Sequence, residues 1–179
     1  MIALVTGGAS SGKSAFAEKL ACSLADTRTY LATMRDDCDE ARSRIVRHQR
    51  LRQGLGFGTV ECPDSLRPAC AKGWHGGVAL LEDLGNLCSN ALFPPCGRAS
   101  ADDVLARLDA ELSMLQTAFE HVVVVTVEAG CAADGTHAST ADWLRVVGAL
   151  GCALAERSDV VVEVACGIPC VIKGRLSWT

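Results

Sequence analysis

The octapeptide GGASSGKS, residues Gly7–Ser14, has the spacing GxxxxGK followed by Ser or Thr. An apolar segment of strand length, residues 2–6, precedes it, and a segment of helical period, residues 13–25, follows it. Glycines in such a turn let backbone N–H groups close around phosphate oxygens, and the start of a helix adds a partial positive charge. The pattern therefore predicts a nucleoside triphosphate site, in which Lys13 reaches the β- and γ-phosphates and Ser14 ligates Mg²⁺.

Apolar runs of strand length alternate with segments of helical period along the chain, as in a parallel sheet covered by helices. The runs Val122–Val127 and Val160–Val164 are nearly continuous in β-branched residues, which is typical of strands buried on both faces. We predict an α/β fold in a single domain, residues 1–179, with a mostly parallel central sheet of about seven strands. The predicted strands are 2–6, 28–33, 58–62, 78–83, 121–127, 159–165 and 170–173. The predicted helices are 13–25, 36–53, 101–119 and 139–157, and the predicted loops are 54–58, 72–77, 94–100 and 130–138.

Composition and charge exclude several classes of function. The 179 residues carry 17 Lys and Arg against 21 Asp and Glu, so there is no global basic field to bind nucleic acid or an anionic membrane. No apolar run approaches the ~20 residues of a membrane span, and the first residues lack the features of a secretory signal, which predicts a cytoplasmic protein. Since no two of the ten cysteines lie three positions apart, we expect free, mostly buried thiols instead of zinc ligands or disulfides.

Carboxylates follow two of the predicted strands. Glu82 and Asp83 come after the apolar run Val78–Leu81, and Glu128 follows the first of the valine-rich strands. Because ligands of open α/β sheets bind at the carboxyl ends of strands, Glu82 or Asp83 is a candidate second ligand of Mg²⁺. Glu128 is equally well explained as a solvated strand end. The residues Thr126–Ala129 replace the NKxD motif that reads guanine in switch GTPases, and this argues against that class.

A basic segment that contains one histidine lies between the second and third predicted strands. Such a run is usually the solvated face of a helix, but here it follows a strand whose end opens toward the predicted nucleotide site. Positive neighbours favour a neutral imidazole at His48, which can act as a nucleophile or a base, so both interpretations stay open. The five arginines of the segment are Arg42, Arg44, Arg47, Arg50 and Arg52.

Eight stretches of the chain occur in a distinctive order. They are TGGASSGKS (Thr6–Ser14), YLAT (Tyr30–Thr33), RIVRH (Arg44–His48), VEC (Val60–Cys62), LLE (Leu80–Glu82), SNALF (Ser89–Phe93), VTxExG (Val125–Gly130) and CGIPCVIKG (Cys166–Gly174). In this order, in a chain of this length, they resemble the bifunctional adenosylcobinamide kinase/adenosylcobinamide-phosphate guanylyltransferase family of cobalamin biosynthesis. The set spans nearly the whole chain and is far more specific than the phosphate-binding loop alone.

The resemblance implies a RecA-like P-loop NTPase fold with one antiparallel strand, and a homotrimer. It implies that ATP or GTP phosphorylates adenosylcobinamide, and that GMP passes from GTP through a guanylylated histidine to adenosylcobinamide phosphate, giving adenosylcobinamide-GDP. His48 matches that histidine, Lys13 matches the catalytic lysine, and Ser14 and Glu82 match the Mg²⁺ ligands. The nucleotide-binding positions that carry over are Gly7, Gly8, Ala9, Ser10, Ser11, Gly12, Lys13, Ser14, Thr33, Met34, Gln49, Arg50, Leu51, Arg52, Glu61 and Glu82.

The C-terminal third departs from the family pattern at Val127, Asp134–Gly135, Leu144–Arg145 and Gly151–Cys152. Polar residues usual in the family are missing there, as they would be after altered trimer contacts, a changed corrinoid site or the loss of one activity. Two other functions therefore stay open. One is a different small-molecule P-loop kinase, in which His48 has no covalent role, and the other is a catalytically reduced nucleotide-binding regulator.

Overall fold

Seven strands and six helices alternate in the part of the chain that the computed structural model describes, residues 1–71, 75–128 and 137–176. Parts of the predicted loops 72–77 and 130–138, and the departure at Asp134–Gly135, lie outside the described residues. The strands are β1 (Ile2–Thr6), β2 (Arg28–Ala32), β3 (Phe57–Glu61), β4 (Val78–Leu81), β5 (His121–Val125), β6 (Val160–Ala165) and β7 (Ile168–Lys173). The helices are α1 (Lys13–Leu24), α2 (Asp39–Arg52), α3 (Arg67–Cys70), α4 (Leu84–Leu92), α5 (Ala101–Ala118) and α6 (Ala138–Arg157).

These strands join one sheet in the order β3-β2-β4-β5-β1-β6-β7. Strand β1 lies between β5 and β6 and pairs in parallel with both, with Ile2 opposite Val122 and Ala3 opposite Val160. Among the described strands, β7 alone runs antiparallel, against β6. The predicted α/β fold with a mostly parallel seven-stranded sheet is confirmed, and the strand bounds agree with the prediction to within one or two residues.

The alternation of side chains along the strands divides the core into two layers. On one face α1 packs Leu20 against strand residues such as Val5. On the other face α4, α5 and α6 pack residues such as Leu112 and Leu150 against Leu81. Because both faces are covered, the valine-rich strands β5 and β6 are buried, as their composition predicts.

The helices predicted over residues 101–119 and 139–157 are confirmed as α5 and α6 to within one residue at each end. Ser100 caps helix α5, because its Oγ accepts from the backbone N–H of Asp103, and the stripe of leucines on this helix faces the core. No helix in the described part of the chain is long and apolar enough to cross a bilayer.

Helix α4 is missed by the sequence analysis, which extends strand β4 to Asp83. The strand ends at Leu81, and the Asp83 carboxylate caps the new helix by accepting from the backbone N–H of Asn86 at 3.1 Å. The sequence does contain a signal for this helix, because apolar residues recur at helical spacing from Leu84 and Leu87 onward. The structure buries these residues. The short helix α3 is likewise not predicted.

Helix α2 is shorter than the predicted span 36–53. It begins after Cys38, whose Sγ accepts from the backbone N–H of Ala41, and Asp39 and Glu40 place negative charge in its first turn. Apart from Arg52, none of the described side chains of α2 is buried. The helix that carries the predicted nucleophile therefore lies on the surface of the core, as its weak apolar stripe indicates.

The loop of residues 7–14 is held in place by the turn between β6 and β7. The backbone N–H of Gly167 donates to the carbonyl of Ser11 at 2.8 Å. Gly7 has φ of 148°, and a Cβ added there would lie 2.4 Å from the carbonyl oxygen of Val164. Gly12 has φ of 94° and lies under the same turn. At both positions the backbone conformation and the close turn leave no room for a side chain, so both positions require glycine.

Nine cysteines fall within the described residues, and none of these forms a disulfide. Burial raises the pKa of the Cys88 thiol to about 12 and that of Cys62 to about 11. The expectation of mostly buried thiols is wrong for this part of the chain, because more of these cysteines are exposed than buried. The exposed ones are Cys38, Cys96, Cys152, Cys166 and Cys170.

We predict that iodoacetamide at pH 8 alkylates the exposed cysteines of the native protein well before Cys62 and Cys88. The buried thiols stay protonated at that pH, and the thiolate is the reactive form. Peptide mass spectrometry after timed quenching measures the order, and the same reaction in urea is the control in which the difference disappears. Equal labelling of Cys88 and Cys166 in the native protein would contradict the packing described here.

Replacing Gly7 by Ala is expected to destabilise the fold by about 3 kcal/mol, because the new methyl group meets the Val164 carbonyl in a conformation that Ala avoids. The matched control is Gly8→Ala, since a Cβ on Gly8 has no atom within 4 Å; its cost should stay within about 0.5 kcal/mol. Urea unfolding measures both. Equal stability of the two variants would show that the turn after β6 does not press on the loop.

Candidate functional site

The predicted site residues lie at the carboxyl ends of four strands, along one edge of the sheet. The loop of residues 7–14 follows β1, Met34 follows β2, Glu61 ends β3 and Glu82 follows β4. These four strands are all parallel, so their carboxyl ends meet at the same edge. The structure thus brings together residues that lie far apart in the sequence.

The loop presents its backbone at the start of α1. Gly12 is the residue before the helix, and Lys13 begins it, with its Nζ donating to the carbonyl of Gly8 at 3.0 Å. This contact keeps the ammonium group over the loop. Ser14, in the first turn, lines a cavity of about 450 Å³ between α1 and α2, the loop-side cavity, which Glu18 and His48 also line. Backbone N–H groups, an ammonium group and a helix start form a receptor for phosphate.

His48 lies on α2 with Nδ1 at 3.4 Å from Oε1 of Glu82. The histidine side chain is 25% exposed and the glutamate side chain 9% exposed. His48 also lines a second cavity, of about 480 Å³, which we call the histidine cavity. Its other predicted residues are Met34, Gln49, Arg52, Glu61 and Glu82. The imidazole therefore borders both the phosphate-binding helix and the cavity that holds most of the predicted residues outside the loop of residues 7–14.

Arg52 and Tyr30 form the floor of the histidine cavity. Arg52 is 8% exposed, and its guanidinium carbon lies 3.2 Å from the centre of the Tyr30 ring. Tyr30 lines the same cavity as Glu82, and burial, followed by the charge of Glu82, raises the pKa of Tyr30. Burial also raises the pKa of Glu18 on α1, while Arg52 lowers it and Glu82 raises it further. A cation and two carboxylates thus surround the imidazole.

Other predicted residues have different surroundings. Thr33 is buried, with its Oγ1 donating to the carbonyl of Asp83 at 3.3 Å, so it joins the end of β2 to α4 and is not open to a ligand. Arg50 is exposed on α2, and Leu51 lies on the same helix. Glu128 is exposed at the end of its strand.

Sequence reasoning missed the residues that hold this edge together. Asn90 on α4 donates through Nδ2 to the carbonyls of Thr33 and Pro63, both at 2.8 Å, and Arg35 donates to the carbonyl of Asn90 at 3.0 Å. These bonds fix the segments after β2 and β3 against α4. Asn90 belongs to the SNALF stretch, but no pattern in the sequence assigns its amide a partner.

A smaller cleft of about 280 Å³ lies beside α6, and we call it the tryptophan cleft. Met34 lines it as well as the histidine cavity. Its wall contains Val127 and Trp143, and the Trp143 Nε1–H donates to the carbonyl of Gly85 at 2.8 Å. Arg145, also part of the divergent region, pairs with Asp102 on α5 at 2.7 Å. The described departures from the family pattern thus lie at α6 and this cleft, away from His48.

The donors near the loop suit a hard cation. The Ser14 hydroxyl and the Glu82 carboxylate both border His48, and oxygen ligands of this kind are those that Mg²⁺ prefers. No group of three or more His, Cys, Asp or Glu that could hold a metal occurs among the described residues.

Two solved structures resemble the backbone of this chain at low sequence identity. The P4 protein of bacteriophage phi6 in complex with ADP matches with a TM-score of 0.45 and 13% identity over 98% of this chain and 56% of that one. An ATPase from the type III secretion system of pathogenic bacteria matches with a TM-score of 0.47 and 10% identity over 90% of this chain and 50% of that one. The chain therefore spans about half the length of each.

Sequence comparison gives a much closer match. The "Bifunctional adenosylcobalamin biosynthesis protein CobP" of Pseudomonas aeruginosa is 31% identical over 177 residues, which cover 96% of this chain and 97% of that protein. The sequence model of the family described as "Cobinamide kinase / cobinamide phosphate guanyltransferase" matches residues 3–172. The chain belongs to the cobinamide kinase/cobinamide phosphate guanyltransferase family.

Proposed function

We propose that this chain phosphorylates adenosylcobinamide with ATP or GTP and then transfers GMP from GTP, through a covalent intermediate on His48, to adenosylcobinamide phosphate. Family membership supports the two activities. The observation that carries the covalent step is the 3.4 Å contact between His48 Nδ1 and Glu82 Oε1. It directs one ring nitrogen to a carboxylate and leaves Nε2 for the substrate.

In the phosphorylation step, the hydroxyl oxygen of the acceptor attacks the γ-phosphorus of the donor. A bond to that oxygen forms, the bond from the γ-phosphorus to the bridging oxygen breaks, and the hydroxyl proton passes to water. The loop N–H groups and Lys13 neutralise the charge that develops on the phosphate oxygens. Ser14 and Glu82 would hold Mg²⁺, which supplies further positive charge to the phosphates when it is bound.

In the transfer step, Nε2 of His48 attacks the α-phosphorus of GTP, an N–P bond forms and pyrophosphate leaves. The imidazole becomes positively charged, and the Glu82 carboxylate beside Nδ1 stabilises that charge. A phosphate oxygen of adenosylcobinamide phosphate then attacks the same phosphorus, and the N–P bond breaks. This restores neutral His48 and yields adenosylcobinamide-GDP. Arg52, buried at the floor of the cavity, adds a fixed positive charge near the phosphates.

We expect His48→Ala to separate the two reactions and Lys13→Ala to impair phosphorylation. With GTP labelled on the α-phosphate, the unchanged chain should acquire acid-labile label, and His48→Ala should acquire none, because the nucleophile is gone. The same variant should phosphorylate adenosylcobinamide at nearly the unchanged rate. Lys13→Ala should lower phosphorylation by about 100-fold or more, because it removes a cation from the transferred phosphate.

The matched control is His137→Ala, since His137 is exposed and its side chain makes no capping bond to α6. It should behave like the unchanged chain in both assays. Label that persists in His48→Ala would contradict the covalent role. Phosphorylation without any label in the unchanged chain would favour a plain P-loop kinase, and GTP binding with neither reaction would favour the nucleotide-binding regulator.

The proposal includes a homotrimer located in the cytoplasm. Support for self-association comes from β7, the antiparallel strand at the edge of the sheet, all six residues of which are exposed. Ile168 is 65% exposed and Ile172 63% exposed, near the two ends of the strand. An apolar edge strand of this kind favours pairing with another copy of the chain.

Light scattering on the unchanged chain is therefore expected to give the mass of a trimer. Replacing Ile168 and Ile172 together by Glu should lower the mass to that of smaller species, because charge replaces the apolar contact. The control is Met114→Glu, at another large apolar side chain, 46% exposed, on α5. A monomer in the unchanged chain, or an equal loss of mass in the control, would contradict a contact through β7.

A further inference from the structure

The loop-side cavity borders both of the proposed reaction centres. Ser14, in the phosphate-binding loop, and His48 both line it. The histidine cavity is lined by His48 but by no described residue of the loop of residues 7–14, and neither the loop nor His48 lines the tryptophan cleft. In the two proposed reactions the same acceptor substrate must reach a phosphorus on the loop and later a phosphorus on His48. Of these three cavities, the loop-side cavity is the one from which a single bound substrate reaches both.

The walls of the loop-side cavity are largely apolar. Helix α1 contributes Ala15, Cys22 and the aliphatic stem of Lys19, and the segment after α2 contributes Leu55. Ala15, Lys19 and Cys22 lie three or four positions apart and therefore share one face of the helix. Because an α-helix rises 1.5 Å per residue, this face extends about 10 Å from Ala15 to Cys22. Walls of this kind suit a ligand with an extended apolar body.

Two charged side chains of α1 also line the loop-side cavity. Glu18 is partly buried, and its carboxylate can accept from the hydroxyl of an alcohol but repels a phosphate. Lys19 is exposed and forms no ion pair or hydrogen bond with a described residue, so its ammonium group is available to a ligand. An ammonium group forms charge-assisted hydrogen bonds with phosphate oxygens, and this offsets the repulsion from Glu18.

We propose that the loop-side cavity is the site of the acceptor, an alcohol with an extended apolar body and, after the first reaction, its phosphate ester. The reacting arm of adenosylcobinamide lies beside Ser14 and His48, the apolar body lies along α1, and Lys19 binds the phosphate of adenosylcobinamide phosphate. The inference rests on the proposed function and adds the place where the second substrate binds. The nucleotide then occupies the loop and the histidine cavity, where most of the predicted nucleotide-binding residues lie.

The first test is Lys19→Gln, which removes the charge from an exposed side chain that has no partner to lose. The chain is labelled with α-labelled GTP, freed of nucleotide and mixed with adenosylcobinamide phosphate. We expect Lys19→Gln to acquire label like the unchanged chain, but to need about 10-fold more adenosylcobinamide phosphate for half-maximal release of label. Its KM for adenosylcobinamide in the phosphorylation reaction should change less than about twofold, because the arm then carries no charge.

The matched control for this loss of charge is Arg175→Gln. Arg175 is exposed, forms no ion pair with a described residue and lines none of the three cavities. It should match the unchanged chain in label acquisition, label release and phosphorylation. A merely structural role of Lys19 would not separate the phosphorylated acceptor from the alcohol.

The second test is Cys22→Trp, which fills the end of the cavity away from the loop. We expect the KM for the acceptor to rise at least about 10-fold in both reactions, because the indole takes the place of the apolar body. The Kd for GTP should stay the same. The matched control is Cys152→Trp, at an exposed cysteine of α6 that lines none of the three cavities, and urea unfolding checks that both variants fold.

A weaker Kd for GTP or slower acquisition of label in folded Lys19→Gln or Cys22→Trp would overturn the inference, because the cavity would then hold the nucleotide. Unchanged acceptor constants in both variants would overturn it as well. If the unchanged chain carries out neither reaction, the proposed function fails, and equilibrium dialysis with adenosylcobinamide tests the cavity by itself. Binding that is lost in Cys22→Trp and kept in Cys152→Trp would support the site, and equal binding or no binding would overturn it.

Discussion

Parallel pairing of β1 with its neighbours places the carboxyl ends of six strands along one edge of the sheet. The loop of residues 7–14, the segment after β2, the end of β3 and Glu82 after β4 therefore converge, although Gly7 and Glu82 lie about 75 positions apart in the sequence. The apolar layers on both faces keep this edge rigid. The contacts of His48 with Glu82 and of Arg52 with Tyr30 depend on this convergence, because each joins residues of different elements.

The strand alternation also explains why consecutive carboxylates have different roles. Glu82 lies in the histidine cavity, on the side of the sheet that α1 covers, while Asp83 caps α4 and lines the tryptophan cleft on the other side. One residue of sequence thus separates a group that contacts His48 from a group that begins a helix. The described departures in the C-terminal third lie on the same side of the sheet as Asp83. None of these described residues lines either of the two cavities that His48 borders.

Much of this architecture could be predicted because its signals are local. The valine runs, the GxxxxGK spacing and the leucine stripe of α5 are each contained in fewer than twenty residues. Helix α4 was missed because Glu82 and Asp83 were assigned to the end of the predicted strand 78–83, which hides the capping role of Asp83. Tyr30 and Asn90 were missed for a different reason. Their partners are the Arg52 guanidinium in one case and the carbonyls of Thr33 and Pro63 in the other, and such pairs are set by the topology and not by spacing.

The central claim is that one triphosphate can lie on the loop of residues 7–14 while His48 reaches its α-phosphorus. A crystal structure with a GTP analogue that cannot be cleaved between its α- and β-phosphates measures this directly. The account predicts the phosphates on the loop N–H groups, with Nε2 of His48 facing the α-phosphorus and Nδ1 on Glu82. An analogue bound on the loop with His48 turned away from Glu82 and from the α-phosphorus would contradict the account.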